Sequence, residues 1–288
     1  MNIIKNLILD EERALYNLKD TKLENVKFSG KADGESALKE IRNCDINDCY
    51  FDLRYPLWHA QGFLLENSEF TSLSRAPIWY AHNGLIKNTK IHGTKAVREC
   101  KNLMFEDCDI VSDEFGWKCN YVKLNNSEIE SAYLFFDANN ISIDNIFLKG
   151  KYSFQYINNL TITNSELKTK DAFWHSENIY IKDSYISGEY LGWFSKNLTL
   201  ENCVISSTQP FCYCENLKLI NCYMNSCDLA FEYSTVDATI LGDIDSIKNP
   251  KAGTIICDSV EEIILDDSIY ESKATIIERR KQNENMVS

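Results

Sequence analysis

The chain has 288 residues and a formal net charge of −13, from 43 acidic and 30 basic side chains. That balance argues against a nucleic-acid-binding protein, because such binding rests on clustered lysine and arginine. No apolar stretch approaches the ~20 residues of a membrane span. Met1 to Leu7 also lacks the apolar core and small-residue cleavage site of a secretory signal. We therefore expect a cytoplasmic protein without a membrane partner.

The predicted elements, in chain order, begin with a cap and first coil over residues 1–40, where Asn25 to Phe28 reads as an irregular repeat copy. Regular coils are predicted over residues 41–233, and the last coils with a C-terminal cap over 234–277. A mobile charged tail is predicted over 278–288. Together these segments predict one domain over residues 1–288, with roughly 11–12 coils.

The central regularity is an Asn or Asp that recurs ten times, with eight intervals of 19 residues and one of 21. Two residues before each recurrence and three residues after it the side chain is apolar, as at Ile46 and Phe51 or Leu200 and Ile205. Alternation within each segment has a period of two, which is typical of strands. The ten positions are Asp48, Asn67, Asn88, Asp107, Asn126, Asn145, Asn164, Asp183, Asn202 and Asn221.

Nineteen residues cannot hold a strand and a crossover helix, so each repeat is expected to form one all-β coil. Coils stacked in parallel lie ~4.8 Å apart and bury a continuous core. A second Asn series, which includes Asn43, Asn102 and Asn197, predicts left-handed bends and stacked amides. A leucine-rich repeat is the nearest rival, but its Asn position differs and no helical segment fits between the repeats.

The eleven cysteines are predicted to be small core residues rather than metal ligands or disulfides. Cys49, Cys108 and Cys203 share a repeat position with Ser68 and Ser127, so cysteine and serine are interchangeable there. A reducing compartment is consistent with that use of cysteine. We predict no metal and no cofactor.

The other part of each coil varies between copies and carries the candidate chemistry. One position, the outer column, is predicted to be exposed and to line a groove along the axis. A neighbouring position, the Trp column, holds Trp58, Trp79, Trp117, Trp174 and Trp193, with Arg98 and Gln155 in the same register. Alternation favours a Trp column that faces the core; a solvent-facing aromatic stripe is the alternative. The outer column is His59, Tyr80, Glu99, Lys118, Asp137, Tyr156, His175, Phe194, Tyr213 and Glu232.

Three consecutive coils place Glu99, Lys118 and Asp137 in one file, with the Cα atoms of the two acidic residues ~10 Å apart. Paired carboxylates are typical of acid/base work on a glycosidic bond, and Lys118 with Arg98 could orient an anionic sugar. The catalytic candidates are therefore Glu99, Asp137, Lys118 and Arg98. The alternative is a solvated ladder of alternating charge that neutralises itself.

The candidate binding residues are the polar and aromatic side chains around this file. Tyrosines could stack on sugar rings or contact a protein. His59 and His175 are expected to lie six coils apart, ~29 Å, which is too far to share a metal or a proton. The binding candidates are Arg54, His59, Arg75, Tyr80, Lys95, Glu114, Tyr133, Tyr152, Tyr156, Asp171 and His175.

Several longer strings carry a family resemblance over nearly the whole chain: residues 33–40, 53–59, 150–156, 170–175, 208–214 and 228–233. In these strings the sequence resembles a bacterial family of uncharacterised proteins with a pectin-lyase-like, right-handed parallel β-helix fold. The right-handed sense is implied by the resemblance alone. The family supplies no catalytic residues that can be transferred to this chain.

These observations predict a β-helix whose exposed groove recognises a carbohydrate or sugar-containing ligand. The alternatives are a non-catalytic protein-interaction scaffold and a carbohydrate lyase or hydrolase. Analogy of fold alone does not choose among them.

Overall fold

The computed structural model describes residues 2–281, and it is an all-β parallel solenoid of about 15 turns with about 19 residues in each. The chain divides into two compact units, residues 1–148 and 149–288. The predicted fold class is confirmed, whereas the expected single domain over 1–288 stays a prediction. The predicted mobile tail lies outside the described residues from 282 onward.

In unit 1 (residues 1–148) each residue of a strand pairs with the equivalent residue of the next repeat. Cys44 pairs with Phe63, Phe63 with Gly84 and Gly84 with Leu103. Its strands are β1 (Asn2–Leu9), β2 (Thr21–Phe28), β3 (Arg42–Asn47), β4 (Tyr50–Phe51), β5 (Gln61–Glu66), β6 (Glu69–Phe70), β7 (His82–Lys87), β8 (Lys90–Ile91), β9 (Lys101–Glu106), β10 (Asp109–Val111), β11 (Glu114–Phe115), β12 (Asn120–Ser131), β13 (Tyr133–Leu134) and β14 (Asn139–Lys151), within which the unit ends.

Unit 2 (residues 149–288) repeats the pattern: Leu160 pairs with Ile179, and Ile179 with Leu198. Its strands are β15 (Asn158–Thr163), β16 (Glu166–Lys170), β17 (Glu177–Lys182), β18 (Tyr185–Glu189), β19 (Lys196–Glu201), β20 (Val204–Thr208), β21 (Leu217–Met224), β22 (Thr235–Ile240), β23 (Asp243–Lys248), β24 (Ala252–Cys257), β25 (Ser259–Ile264) and β26 (Lys273–Glu278). Helical backbone among the described residues is confined to 279–281, and none of it is long and apolar enough to span a bilayer.

The structure has more coils than the 11–12 that the Asn series indicated. β22, β24 and β26 in unit 2 each add a rung without the Asn signature, whereas β1 in unit 1 adds a rung that keeps it at Asn6, whose amide oxygen accepts a hydrogen bond from Asn25 Nδ2 at 2.9 Å. The repeat signature therefore extends to the first coil, while the last coils keep only the strand register. The expected irregular caps are built from further strands.

The core is filled by the two apolar columns of the repeat. Phe28, Phe51 and Phe70 are fully buried and stack with ring centroids 5.0 and 4.5 Å apart in unit 1. All eleven cysteines are buried and unpaired, and burial raises the pKa of Cys49 and Cys108 to about 11. They therefore act as small apolar core residues, as the column composition indicated.

The bends of each coil are made by the Asn positions. All ten Asn or Asp residues of the main series have positive φ, between 45° at Asn88 and 54° at Asp48. Asn tolerates this left-handed backbone better than other non-glycine residues. Amide side chains stack as predicted: Asn88 Nδ2 donates to Asn67 Oδ1 at 2.6 Å, and Asn197 Nδ2 to Asn178 Oδ1 at 2.9 Å.

Candidate functional site

The variable part of each coil is a turn in which residues with positive φ alternate with others. In one coil Tyr55, Leu57 and His59 have φ of 61°, 62° and 57°. Backbone hydrogen bonds still join neighbouring coils, because the His59 N–H donates to the Trp79 carbonyl at 2.9 Å. The repeated left-handed steps break the strict in-and-out alternation of a strand, so Pro56 and Leu57 are both buried.

The Trp column is consequently at the surface, and its favoured inward orientation was wrong. All five tryptophans are half-buried, and none belongs to the buried core. Each indole N–H donates to a carbonyl of the following coil, for example from Trp58 to Ala76 at 2.8 Å and from Trp174 to Tyr190 at 2.6 Å. The indoles of Trp58 and Trp79 also stack, with centroids 5.3 Å apart.

Arg98 and Gln155, the two residues that did not fit this column, reproduce the interactions of tryptophan. The Arg98 guanidinium lies between Trp79 and Trp117, 5.1 and 5.2 Å from the two ring centroids. The Gln155 amide nitrogen donates to the Asp171 carbonyl at 2.9 Å, where an indole N–H would donate. The Trp column therefore ties one coil to the next along the surface.

Arg98 is held in this position, which limits the orienting role predicted for it. Its planar cation is stacked on both faces, as cation–π geometry favours. Its Nε atom lies 3.8 Å from a Glu99 carboxylate oxygen. The edge of the guanidinium, rather than its face, is left to meet a ligand.

The outer column of unit 1 starts with an aromatic pair and continues with charges. The rings of His59 and Tyr80 stack at 5.0 Å with an interplanar angle of 16°. Next in file come Glu99, Lys118 and Asp137, all exposed. Their backbones are in register, since the Glu99 N–H donates to the Trp117 carbonyl and the Lys118 N–H to the Phe136 carbonyl.

The predicted file of charges is therefore present, but it does not form a ladder of ion pairs. Among the ion pairs of residues 2–281, none joins Lys118 to Glu99 or to Asp137 within 4.0 Å. Nearby charges are paired instead: Lys95 contacts Glu114 at 3.1 Å, and Arg54 contacts Asp33 at 2.8 Å and Glu35 at 3.0 Å. Arg75 is exposed.

From Tyr156 to Tyr213 the outer column of unit 2 is a continuous aromatic stack, and Glu232 follows it. Tyr156 and His175 lie 5.2 Å apart, His175 and Phe194 4.9 Å, and Phe194 and Tyr213 4.8 Å, with interplanar angles of 11° or less. Tyr156, Phe194 and Tyr213 are 50 %, 39 % and 36 % exposed. Because neighbouring rings cover each other's faces, ring edges meet the solvent here.

The remaining predicted binding residues contact parts of the turn. Tyr133 lies edge-on to Trp117 at 6.0 Å, and Lys151 lies 5.5 Å from the Tyr152 ring. Burial raises the pKa of the half-buried Asp171, the Glu189 charge adds to the rise and Lys170 opposes it. His59 and His175 belong to different units, and each takes part in a stack of its own.

Two hollows lie away from the outer column, and sequence reasoning singled out neither. One of about 310 Å³ in unit 1 is at the Asn bend and is lined by Asn67, Asn88, Lys90 and Asp107 among others. One of about 220 Å³ in unit 2 lies by Lys218, Ile220 and Thr254. The predicted site residues line neither hollow.

Comparison with solved structures finds similarity over most of the chain at low identity. The A-module of a mannuronan C-5 epimerase from Azotobacter vinelandii is 9 % identical, with a TM-score of 0.40 over 82 % of this chain and 88 % of that one. An endo-xylogalacturonan hydrolase from Aspergillus tubingensis is 11 % identical, with a TM-score of 0.32 over 95 % and 86 %. TM-scores this low carry no activity across to this chain.

No curated protein matches the sequence. The family resemblance that was based on the longer sequence strings is confirmed by a match to a family model over residues 2–278. The matching model is the one described as protein of unknown function (DUF3737), and the chain therefore belongs to that family.

Proposed function

We propose that the protein recognises a carbohydrate or sugar-containing ligand at the point in unit 1 where the aromatic stack gives way to charged side chains. The observation that carries this proposal is the position of Tyr80. His59 covers one face of its ring, and the coil on the other side holds Glu99 instead of a ring. The second face of Tyr80 is therefore next to the exposed side chain of Glu99.

A pyranose matches this combination of groups. Aromatic faces carry partial negative charge and pack on apolar C–H surfaces. Carboxylates accept hydrogen bonds from sugar hydroxyls, and an ammonium group donates to them. Glu99, Lys118 and Asp137 supply both kinds of group on three consecutive coils, and coils ~4.8 Å apart suit a saccharide lying along the axis.

The test is a binding measurement on the full chain. A panel of neutral and uronic-acid oligosaccharides is screened, and the best ligand is titrated by calorimetry. We expect Tyr80→Ala to weaken binding by about tenfold, because ~1.4 kcal/mol of ring contact is lost. His175→Ala removes a ring from the filled stack of unit 2 and should leave the affinity unchanged.

Two results would refute the proposal: no binding to any member of the panel, or equal affinity of the Tyr80→Ala variant and the wild type. Binding that is lost in Tyr152→Ala with Tyr156→Ala, but kept in Tyr80→Ala, would move the site to unit 2. Binding of a protein in place of any glycan would favour the scaffold alternative.

Hydrolysis or lyase chemistry is the second candidate, and the spacing of the carboxylates favours it. Residues two coils apart have Cα atoms ~10 Å apart, from which flexible side chains reach the ~6.5–9.5 Å separation of inverting glycosidases. Glu99→Gln and Asp137→Asn should then each abolish turnover with little change in melting temperature. Turnover that survives in either variant would exclude this chemistry.

A further inference from the structure

Strand β1 forms an exposed edge of unit 1. It pairs in parallel with β2, from Asn2 with Thr21 to Leu9 with Phe28. Within residues 2–281, β2 is the strand that pairs with β1. Backbone N–H and C=O groups on the opposite edge of β1 are therefore available to another strand.

This edge is apolar. Ile3, Leu7 and Ile8 are 62 %, 39 % and 74 % exposed, and Lys5 is the one charged residue among the eight. Natural edge strands usually carry several charges, a proline or a bulge, which prevent pairing with another chain. An apolar edge with so little protection is a template for pairing with another strand.

The order of side chains along β1 is nearly the same in both directions. The register with β2 places Ile4 and Leu7 opposite Leu23 and Val26, which are buried, so both face inward. Ile3 and Ile8 lie opposite Lys22 and Lys27 and face outward. The inward-facing residues have even numbers before Asn6, as at Ile4, and odd numbers after it, as at Leu7. The change occurs because Asn6, with φ of 58°, bends the strand at its centre.

Two β1 strands can therefore pair antiparallel about a two-fold axis that passes between Lys5 and Asn6. In this register, apolar side chains on one face of the first strand lie opposite apolar side chains on the same face of the second. It brings Ile3 opposite the second Ile8 on the outside and Ile4 opposite the second Leu7 on the inside. Lys5 meets Asn6, so no two like charges are opposed. Displacing the dyad onto Lys5 would face the two lysines with each other, which disfavours that register.

We propose that β1 is a self-association surface, through which a second copy of this chain pairs antiparallel to form a closed two-fold dimer. The interface is isologous, so it buries the edge in both copies and ends at two chains. Apolar contacts between Ile3 and Ile8 supply the outer face, and Ile4 with Leu7 continues the two cores across the dyad.

Light scattering of the full chain, coupled to size exclusion, tests this dimer. We expect a dimer for the wild type and a monomer for Ile3→Asp with Ile8→Asp, because the outward positions then carry opposed carboxylates. Ile220→Asp, at an outward residue of unit 2 that is 40 % exposed, is the matched control and should remain dimeric. A monomeric wild type, a larger assembly or a dimeric double variant would overturn the proposal.

Cross-linking tests the register independently of dimer stability. A mixture of Ile3→Cys and Ile8→Cys chains under mild oxidation should form a disulfide between the two kinds of chain, while each alone should not cross-link. The native cysteines are buried and do not compete. Cross-linking of Ile3→Cys to itself would contradict the antiparallel register.

Discussion

The outer columns of the two units present different chemistry on the same backbone. Glu99 in unit 1 and His175 in unit 2 have φ of 53° and 54°, and both donate their N–H to the carbonyl of a Trp-column residue in the next coil. In unit 2 four successive rings precede a single acidic residue, Glu232, which is paired with Lys248, whereas in unit 1 three charged residues follow one aromatic pair. The coil spacing favours ring stacking wherever aromatic residues recur, and a break in that stack creates a surface that a ligand can occupy.

The largest difference between the units is expected in the loss of stability when a buried side chain of this turn is truncated to alanine. Phe173 is 1 % exposed and stacks on Phe154 at 5.2 Å, while Val97 holds the equivalent position in unit 1. Phe173→Ala should cost about 3–5 kcal/mol and Val97→Ala about 1–2, since the cavity scales with the atoms removed. Urea denaturation measures both losses. Equal losses would show that a buried ring in unit 2 contributes no more stability than the smaller valine in unit 1.

Loss of one surface bridge between coils is expected to be intermediate. Trp174→Phe keeps a ring but removes the N–H that donates to the Tyr190 carbonyl, at a cost of about 1 kcal/mol. Gln155→Trp should restore the common residue of the column with little change in stability. Thermal melts check both variants, and a neutral Trp174→Phe would show that ring stacking rather than the hydrogen bond joins these coils.

At the Asn bends, one substitution in unit 1 should add an amide hydrogen bond between coils, and one in unit 2 should remove such a bond. Asp107 follows Asn88 in the amide ladder of unit 1 and has no amide N–H to donate to it. Asp107→Asn should stabilise by about 0.5–1 kcal/mol by supplying that donor. Asn202→Asp in unit 2 removes the bond from Asn202 Nδ2 to Asp183 and should destabilise by a similar amount or more. Denaturation midpoints that move in the same direction for both would disprove the role of the ladder.

The smallest effect is expected at a half-buried charge cluster on the surface of unit 2. Hydrogen bonds from Lys182 and Tyr180, at 2.9 and 2.7 Å, hold the pKa of Glu201 below its usual value. A carboxyl whose pKa is lowered on folding stabilises the native state above its unfolded pKa, and that contribution is lost as pH falls through the lowered value. Glu201→Gln should therefore melt slightly below the wild type at pH 7 and level with it at strongly acidic pH. A difference that does not change with pH would contradict this assignment.

Much of the fold could be predicted because a single period determines it. Once residues 19 apart are neighbours, Ile46, Leu65 and their equivalents must face one core, and the Asn positions must bend the chain. The register of Glu99, Lys118 and Asp137 followed from the same period and is confirmed by the backbone hydrogen bonds. The end coils were missed because β22, β24 and β26 keep the strand pattern but lack the Asn signature.

The site could be predicted only in part, because residue identity does not reveal how a turn orients its side chains. The sequence alone determined the repeat, the parallel all-β coils, the left-handed Asn bends and the burial of the cysteines, since each follows from periodicity and side-chain chemistry. Only the tertiary structure placed the Trp column at the surface, sandwiched Arg98 between indoles and distinguished the filled stack of unit 2 from the interrupted stack of unit 1. The physical reason is that repeated residues with positive φ break the in-and-out alternation of side chains that a strand would have. In addition, contacts between rings form only when successive coils stack, and the rings in contact are about 19 residues apart in sequence.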